Sequence, residues 1–309
     1  DALALQLLVA FDAALRLDLL HALYELRWHY GDRGQPGGWS LELSRLLLDA
    51  NRKQEAIQVA SLVDDPRNII ALRADRRFKP LLKSDIVRSN PQRAAKDQIE
   101  ADRKKVRDAP RSLPALQRLI SALLDSRLDA EALALSEEAT RRIDAAADGR
   151  APYDDVGSFG YLLDYRADAL IHLGRYDEAV QQSQRSAQLP QKRDRVSYSI
   201  NLALTLCELD RPDQALEALP VSGNPSGYGK MLIALAQLTA AVERGSGADA
   251  DKALSYLREH RKDSPSTLLS GLLRVDALDE AQHEFLLRLS DPAERTSMLV
   301  EAQDYYDAK

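Results

Sequence analysis

The sequence has one cysteine, Cys207, which excludes an internal disulfide and any metal site built from several thiolates. It sits in the helix-forming string NLALTLCELD and reads as a packed, inert thiol. Glycine (14) and proline (13) are sparse in the 309 residues, and β-branched residues are thin against leucine and alanine, so strands are not expected. No apolar run reaches the roughly 18 residues of a membrane span. The nearest, Leu3 to Phe11, is about half that and ends at Asp12. Also missing are a Gly-x-Ser-x-Gly elbow, a phosphate-binding loop and a dinucleotide fingerprint. The expectation is a protein with no catalytic residues, no metal and no cofactor. The chain starts at Asp1 rather than Met, which fits a mature form or a piece of a longer chain.

What is present is helix-forming throughout, in an ordinary water-soluble composition, 45% apolar and 29% charged. Residues 165–190 set the pattern. Leu163, Ala167, Leu170 and Ile171 recur at helical spacing, and so do Ala179, Val180, Ser183 and Ala187. Gly174 sits where the first helix must stop and Pro190 where the second must. A hairpin this small cannot bury its faces alone and needs neighbours of the same kind.

Such neighbours are legible on both sides. A stripe of Leu3, Leu7, Phe11, Leu15, Leu19, Leu23 and Leu26 predicts helix over 1–30, and GDRGQPGG (31–38) breaks it. Helices are expected at 39–49, 53–62, 92–107, 116–124, 130–143, 196–208, 214–219, 231–244, 251–259, 267–273 and 278–289. A capping helix is expected in 291–309. Residues 68–83 read as a short helix and a turn anchored by Phe78 and Leu81. The longest loops are 144–160 and 220–229. A small residue recurs near the start of each second helix: Ala56, Ala94, Ala132, Ala179, Ala215, Ala253 and Ala281. Alanine suits that position because two helices joined by about three residues must nearly touch at the turn.

A helix–turn–helix unit of this period resembles the tetratricopeptide repeat (TPR). The string Leu170-x-x-Leu173-Gly174-Arg175-Tyr176-x-x-Ala179 looks like the inter-helix half of a TPR. Leu202-Ala203-x-x-Leu206, followed by Asp210 and Ala215, looks like its first-helix and second-helix positions. The family's first-helix Trp is absent from both units, and its second-helix aromatic appears only as Phe285. Leu72-Arg73-x-Asp75-x-Arg77-Phe78 resembles a stretch that closes TPR groups in bacterial proteins, which places one group in 1–83 and another in 84–309. The implied fold is all-α, a right-handed superhelical solenoid of antiparallel helix hairpins. Arginine far outnumbers lysine, as in a GC-rich bacterial gene. Periplasm and cytoplasm are both open.

By the same resemblance the first helices line a concave groove that receives another protein's peptide or helix. The in-register positions are Gln117, Arg118, Ser121, Tyr161, Asp164, Tyr165, Asp168, His172, Ser197, Asn201, Glu208, Lys230 and Gln237. The Lys/Asn clamp of chaperone-binding TPRs is replaced by Asp164 and Asp168, which favours a basic or neutral ligand over an acidic one. The bland reading is a solvated scaffold face. The function expected is a non-catalytic scaffold or adaptor. A second reading is a regulatory or targeting module of a larger enzyme or complex.

Charge offers a third reading. Residues 73–118 hold 14 Lys/Arg against 6 Asp/Glu, a balance of +8 within a chain of net −6. Such a segment could meet nucleic-acid phosphates, but interleaved aromatics for base stacking are missing apart from Phe78. The competing reading is a solvated helix with an internal Glu100–Lys104 pair. His21, His29, His172, His260 and His283 are scattered, without metal-ligand spacing. The carboxylate pairs Asp64-Asp65 and Asp154-Asp155 read as helix caps or turn formers.

Overall fold

The computed structural model describes residues 12–30, 37–80, 90–146, 152–189, 195–220, 223–291 and 294–307. Among these are sixteen α-helices, two 3-10 turns and no strand. Leu3, Leu7, Phe11, Leu81 and Pro190 lie outside the described residues. The chain forms two compact units. One takes residues up to Gln98 together with those from Leu289 onward; the other is Ile99–Arg288. The division expected from the sequence, 1–83 and 84–309, differs in both the boundary and the placement of the tail.

The first unit contains α1 (Ala13–Tyr30), α2 (Gly37–Asp49), α3 (Lys53–Ala60) and α4 (Pro66–Ala74). It also takes the start of α5 (Pro91–Asp108) and the last helix, α16 (Arg295–Asp307). Helix α2 packs on α1, α3 and α4. Asp65 caps α4 by accepting from the Asn68 amide at 3.0 Å. Phe78 is fully buried in a 3-10 turn, among Ile69, Leu72 and Ala94. The Asp75 carboxylate is buried beside it and accepts from the Arg77 guanidinium at 2.6 Å. Two expectations fail in this unit. Leu15 and Leu19 are exposed; α1 packs through Leu23 of the expected stripe together with Leu17, Leu20 and Tyr24. The tail helix, expected with the repeat array, belongs to this unit, where it packs on α4, and Met298 is completely buried.

The second unit is a run of hairpins: α6 (Leu113–Asp125) with α7 (Asp129–Asp144), α8 (Phe159–His172) with α9 (Tyr176–Ala187), and α10 (Arg195–Glu208) with α11 (Pro212–Ala218). Two more follow, α12 (Gly227–Glu243) with α13 (Gly247–Glu259) and α14 (Pro265–Arg274) with α15 (Leu278–Ser290). The contacts repeat. Helix α6 packs on α8, α8 on α10, α10 on α12 and α12 on α14. The second helices α7, α9, α11 and α13 each pack on the next first helix. Stacking of successive hairpins on nearest neighbours is consistent with a helical solenoid. Helix α14, at 10 residues, is the shortest first helix, as the compressed last repeat requires.

The same turn joins every hairpin. Asn51, Arg127, Gly174, Asp210, Gly245 and Asp276 all have positive φ, from 53° to 73°. The following amide reaches back five residues in each: Arg52 to Leu47, Leu128 to Leu123, Arg175 to Leu170, Arg211 to Leu206, Ser246 to Ala241 and Ala277 to Leu272. A left-handed residue with a six-to-one hydrogen bond satisfies carbonyls that a helix end leaves open. The second helix starts two residues after the left-handed one every time. Glycine fills two of the six positions. Elsewhere Asn and Asp tolerate the conformation, and Arg127 bears a cost of about 1–2 kcal/mol.

This turn sets the repeat register. Ala56, Ala132, Ala179, Ala215 and Ala281 each lie five residues past the left-handed residue and are buried. In the α12–α13 hairpin the equivalent residue is Ala250, so the expected Ala253 is one helical turn too far along. Ala94 belongs to no such turn among the described residues; it packs beside Phe78.

Candidate functional site

On α8 the residues Tyr161, Asp164, Tyr165, Asp168 and His172 fall three, four, seven and eleven apart, on one helical face. Leu162, Leu163, Ala167 and Leu170 hold the other side in the core. Gly160 brings α8 close to α10: a Cβ there would stand 2.2 Å from the Tyr198 ring. That approach lets the polar face of α8 meet side chains from its neighbours.

Asp164 Oδ2 accepts from Asn201 Nδ2 of α10 at 2.8 Å, while Asp164 Oδ1 is buried with no hydrogen-bond partner. Burial pushes the Asp164 carboxyl up to about 6, against the pull of the Asn201 amide and of the nearby Ser186 hydroxyl, which donates to the Gly160 carbonyl at 3.2 Å. Asp168 is pushed up to about 6 as well, first by desolvation and then by Asp164 and Glu208, with His172 acting the other way. Glu208 of α10 is raised by desolvation, opposed by His172 and Arg274. Asp168 and Glu208 are solvent-accessible by area and yet strongly desolvated. The two facts agree if water reaches each group from one side while protein crowds the others. Burial raises the Tyr165 phenol, with Ser121 of α6 acting the other way. His172 Nδ1 lies 2.7 Å from the buried Asp129 Oδ1 at the start of α7. Tyr161 is 39% exposed and meets Tyr198 edge-on at 5.4 Å.

The structure thus brings together Ser121, Asp164, Tyr165, Asp168, His172, Asn201 and Glu208, from three first helices. Three expectations need correction. Gln117 is only 8% exposed; its Nε2 donates to the Ser158 carbonyl at 2.7 Å and braces the chain entering α8. Asn201 spends a donor on Asp164 rather than facing solvent freely. Gln237 lies in another feature, a cleft of about 380 Å³ walled by Leu216 of α11 and by Lys252 and Tyr256 of α13. Arg118, Ser197 and Lys230 are exposed on α6, α10 and α12. Sequence reasoning missed Asp129 and Ser186, which bear on this face from second helices. Asp129 is 43 residues from His172, and no local pattern links them.

The remaining candidates are structural. Cys207 is buried, its Sγ is 3.5 Å from the Ala236 carbonyl, and desolvation pushes the thiol up to about 11, away from reactivity. Asp154 pairs with Arg111 at 2.7 Å, and Asp155 accepts from the Gly157 amide at 2.9 Å. His21 lies beside Glu55 and Arg52, and His260 stacks on Tyr256 at 4.2 Å. The His29 side chain lies outside the described residues, and His283 is exposed. In α5 the expected Glu100–Lys104 pair is not the one formed. Glu100 bonds Arg103 at 2.5 Å, Arg103 also takes Glu131 at 2.7 Å, and Lys104 takes Asp108 at 3.1 Å. Among the described residues no three His, Cys, Asp or Glu side chains are placed to hold a metal ion, and no helix is long and apolar enough to cross a membrane. The chain matches no protein-family model, and no curated protein matches it in sequence.

Proposed function

We propose that this chain is a non-catalytic interaction scaffold of TPR-like build, a right-handed superhelix whose first helices hold a peptide or helix of another protein. The observation that carries the reading is the face of α8 with its neighbours. It joins an exposed tyrosine to three carboxylates whose protonation is favoured by desolvation, opposed by His172 at Asp168 and by His172 and Arg274 at Glu208. A face meant only to be solvated gains nothing from holding a carboxylate oxygen out of water, as Asp164 Oδ1 is held. The recurring left-handed turn and the buried alanine five residues later support the repeat assignment. The internal pairing of Arg103, Lys104, Lys105 and Arg111 weighs against nucleic acid as the partner of the basic segment.

The test is a pull-down from lysate of the source cell, wild type beside Tyr165→Ala/Asp168→Arg. A specific protein retained by the wild type and lost by the double variant supports the scaffold and its face. A partner held equally by both removes this face from the proposal.

A further inference from the structure

Helix α11 is seven residues long, against 16, 12 and 13 for α7, α9 and α13. It stops at Ala218 because Leu219, ahead of Pro220, is extended. At about 1.5 Å per residue it covers roughly 10 Å of the 17-residue α12, starting from the end where Asp213 lies 3.5 Å from Arg244. Beyond that stretch Gln237 of α12 is exposed, and a cleft of about 380 Å³ opens between α11, α12 and α13. Its volume lies within the range of small-molecule pockets, about 300–1,000 Å³.

Leu216, Ala241, Ala253 and Tyr256 give the cleft an apolar lining, and the Tyr256 ring is steadied by stacking on His260 at 4.2 Å. Its charge opposes that of the chain: Arg244 and Lys252 line it against one carboxylate, Asp249, in a protein of net −6. That carboxylate is already engaged, accepting from Ser246 Oγ at 2.6 Å. Lys252 makes no ion pair or hydrogen bond among the described residues. We propose that this cleft binds a small organic monocarboxylate with a flat apolar body, its ring between Leu216 and Tyr256 and its carboxylate against Lys252 and Gln237. The body removes apolar lining from water, and the carboxylate takes donors from the ammonium and the amide. A cationic ligand would meet Arg244 and Lys252 as like charges. No residue of the α8 cluster lines the cleft, so the inference stands apart from the scaffold reading.

The test is a titration of the full chain with naphthoate, and with naphthamide as its uncharged counterpart, read by ligand-observed saturation-transfer NMR. The wild type is expected to hold the acid with a Kd of about 1 mM, a value its dozen or so heavy atoms allow, and the amide about fivefold more weakly. Lys252→Gln should weaken the acid about fivefold and leave the amide unchanged. Lys262→Gln makes the same charge change at an exposed lysine outside the cleft and should leave both unchanged. Gln237→Trp puts a ring into the cleft from an exposed position and should abolish binding. Melting curves check that each variant folds. Equal binding of acid and amide, or acid binding untouched by Lys252→Gln, overturns the carboxylate. Binding untouched by Gln237→Trp overturns the cleft as the site. No saturation transfer at about 5 mM naphthoate overturns the inference as a whole. An acetylated Glu-Phe-Glu peptide held more tightly than naphthoate overturns the small-molecule occupant in favour of an acidic peptide.

Discussion

Asp164 shows at the scale of one residue how a side chain can be costly to the fold. Its carboxyl is raised to about 6, so between about pH 4 and 6 the folded chain holds a proton that the unfolded chain has released. Stability from this group is therefore greatest at the acid end of that window and falls as pH rises through about 6. Asp164→Asn keeps an oxygen that can accept from Asn201 and removes the charge. We expect it to raise stability at pH 7.5 by about 1 kcal/mol after solvent screening, a gain of about 2–4 °C in Tm. The gain should shrink toward pH 4.5, and thermal melts of both chains across that range would show it. A gain that grew in acid would mean that the carboxyl is not desolvated.

At the scale of the element, hairpin turns and helix crossings are set by what has no room to grow. Ala179 is fully buried at the narrow end of the α8–α9 hairpin. Ala179→Leu should overpack it and destabilise by roughly 1–3 kcal/mol, read from chemical denaturation. Gly160 tests the crossing of α8 with α10. A Cβ at 2.2 Å from the Tyr198 ring must displace α10 or the ring. Gly160→Ala should therefore cost roughly 1–3 kcal/mol even though alanine is the better helix former. Exposed positions on neighbouring helices, such as Arg118 on α6, should tolerate alanine within about 0.5 kcal/mol.

At the scale of the whole molecule, the tail helix is the informative element. Helix α16 packs on α4, more than two hundred positions earlier in the chain, and makes the N-terminal unit discontinuous in sequence. Met298, on this helix, is fully buried. Met298→Ala should cost about 2–5 kcal/mol, and the loss should fall on the first unit rather than on the repeats. Hydrogen exchange resolves the two: amides of α4 should lose protection while those of α8 and α9 keep theirs. Equal loss in both units would show that they unfold as one.

The sequence by itself determined the class of fold and most helices. The period of apolar residues, the breakers between them and the recurrent alanine are all short-range signals, readable within one hairpin. Helices were placed to within a few residues at their ends, and five of the seven alanines fell near the start of a hairpin's second helix as expected. The register of the α12–α13 hairpin slipped to Ala253 because Ala250 and Ala253 share a helical face, and only the backbone turn at Gly245 separates them. The turns themselves were legible where glycine marks them and hidden where Asn51, Arg127, Asp210 and Asp276 take the left-handed conformation. For the candidate site, the positions on α8 were expected from the resemblance, whereas the side chains that meet them were not. Asn201 lies 37 residues from Asp164 and Asp129 lies 43 from His172, so their meeting depends on how one hairpin stacks on the next. Stacking also decided that Gln117 is buried and that the tail returns to α4. Periodicity records which side of a helix is apolar, but burial, desolvation and long-range pairing are set by what the remainder of the chain packs against it.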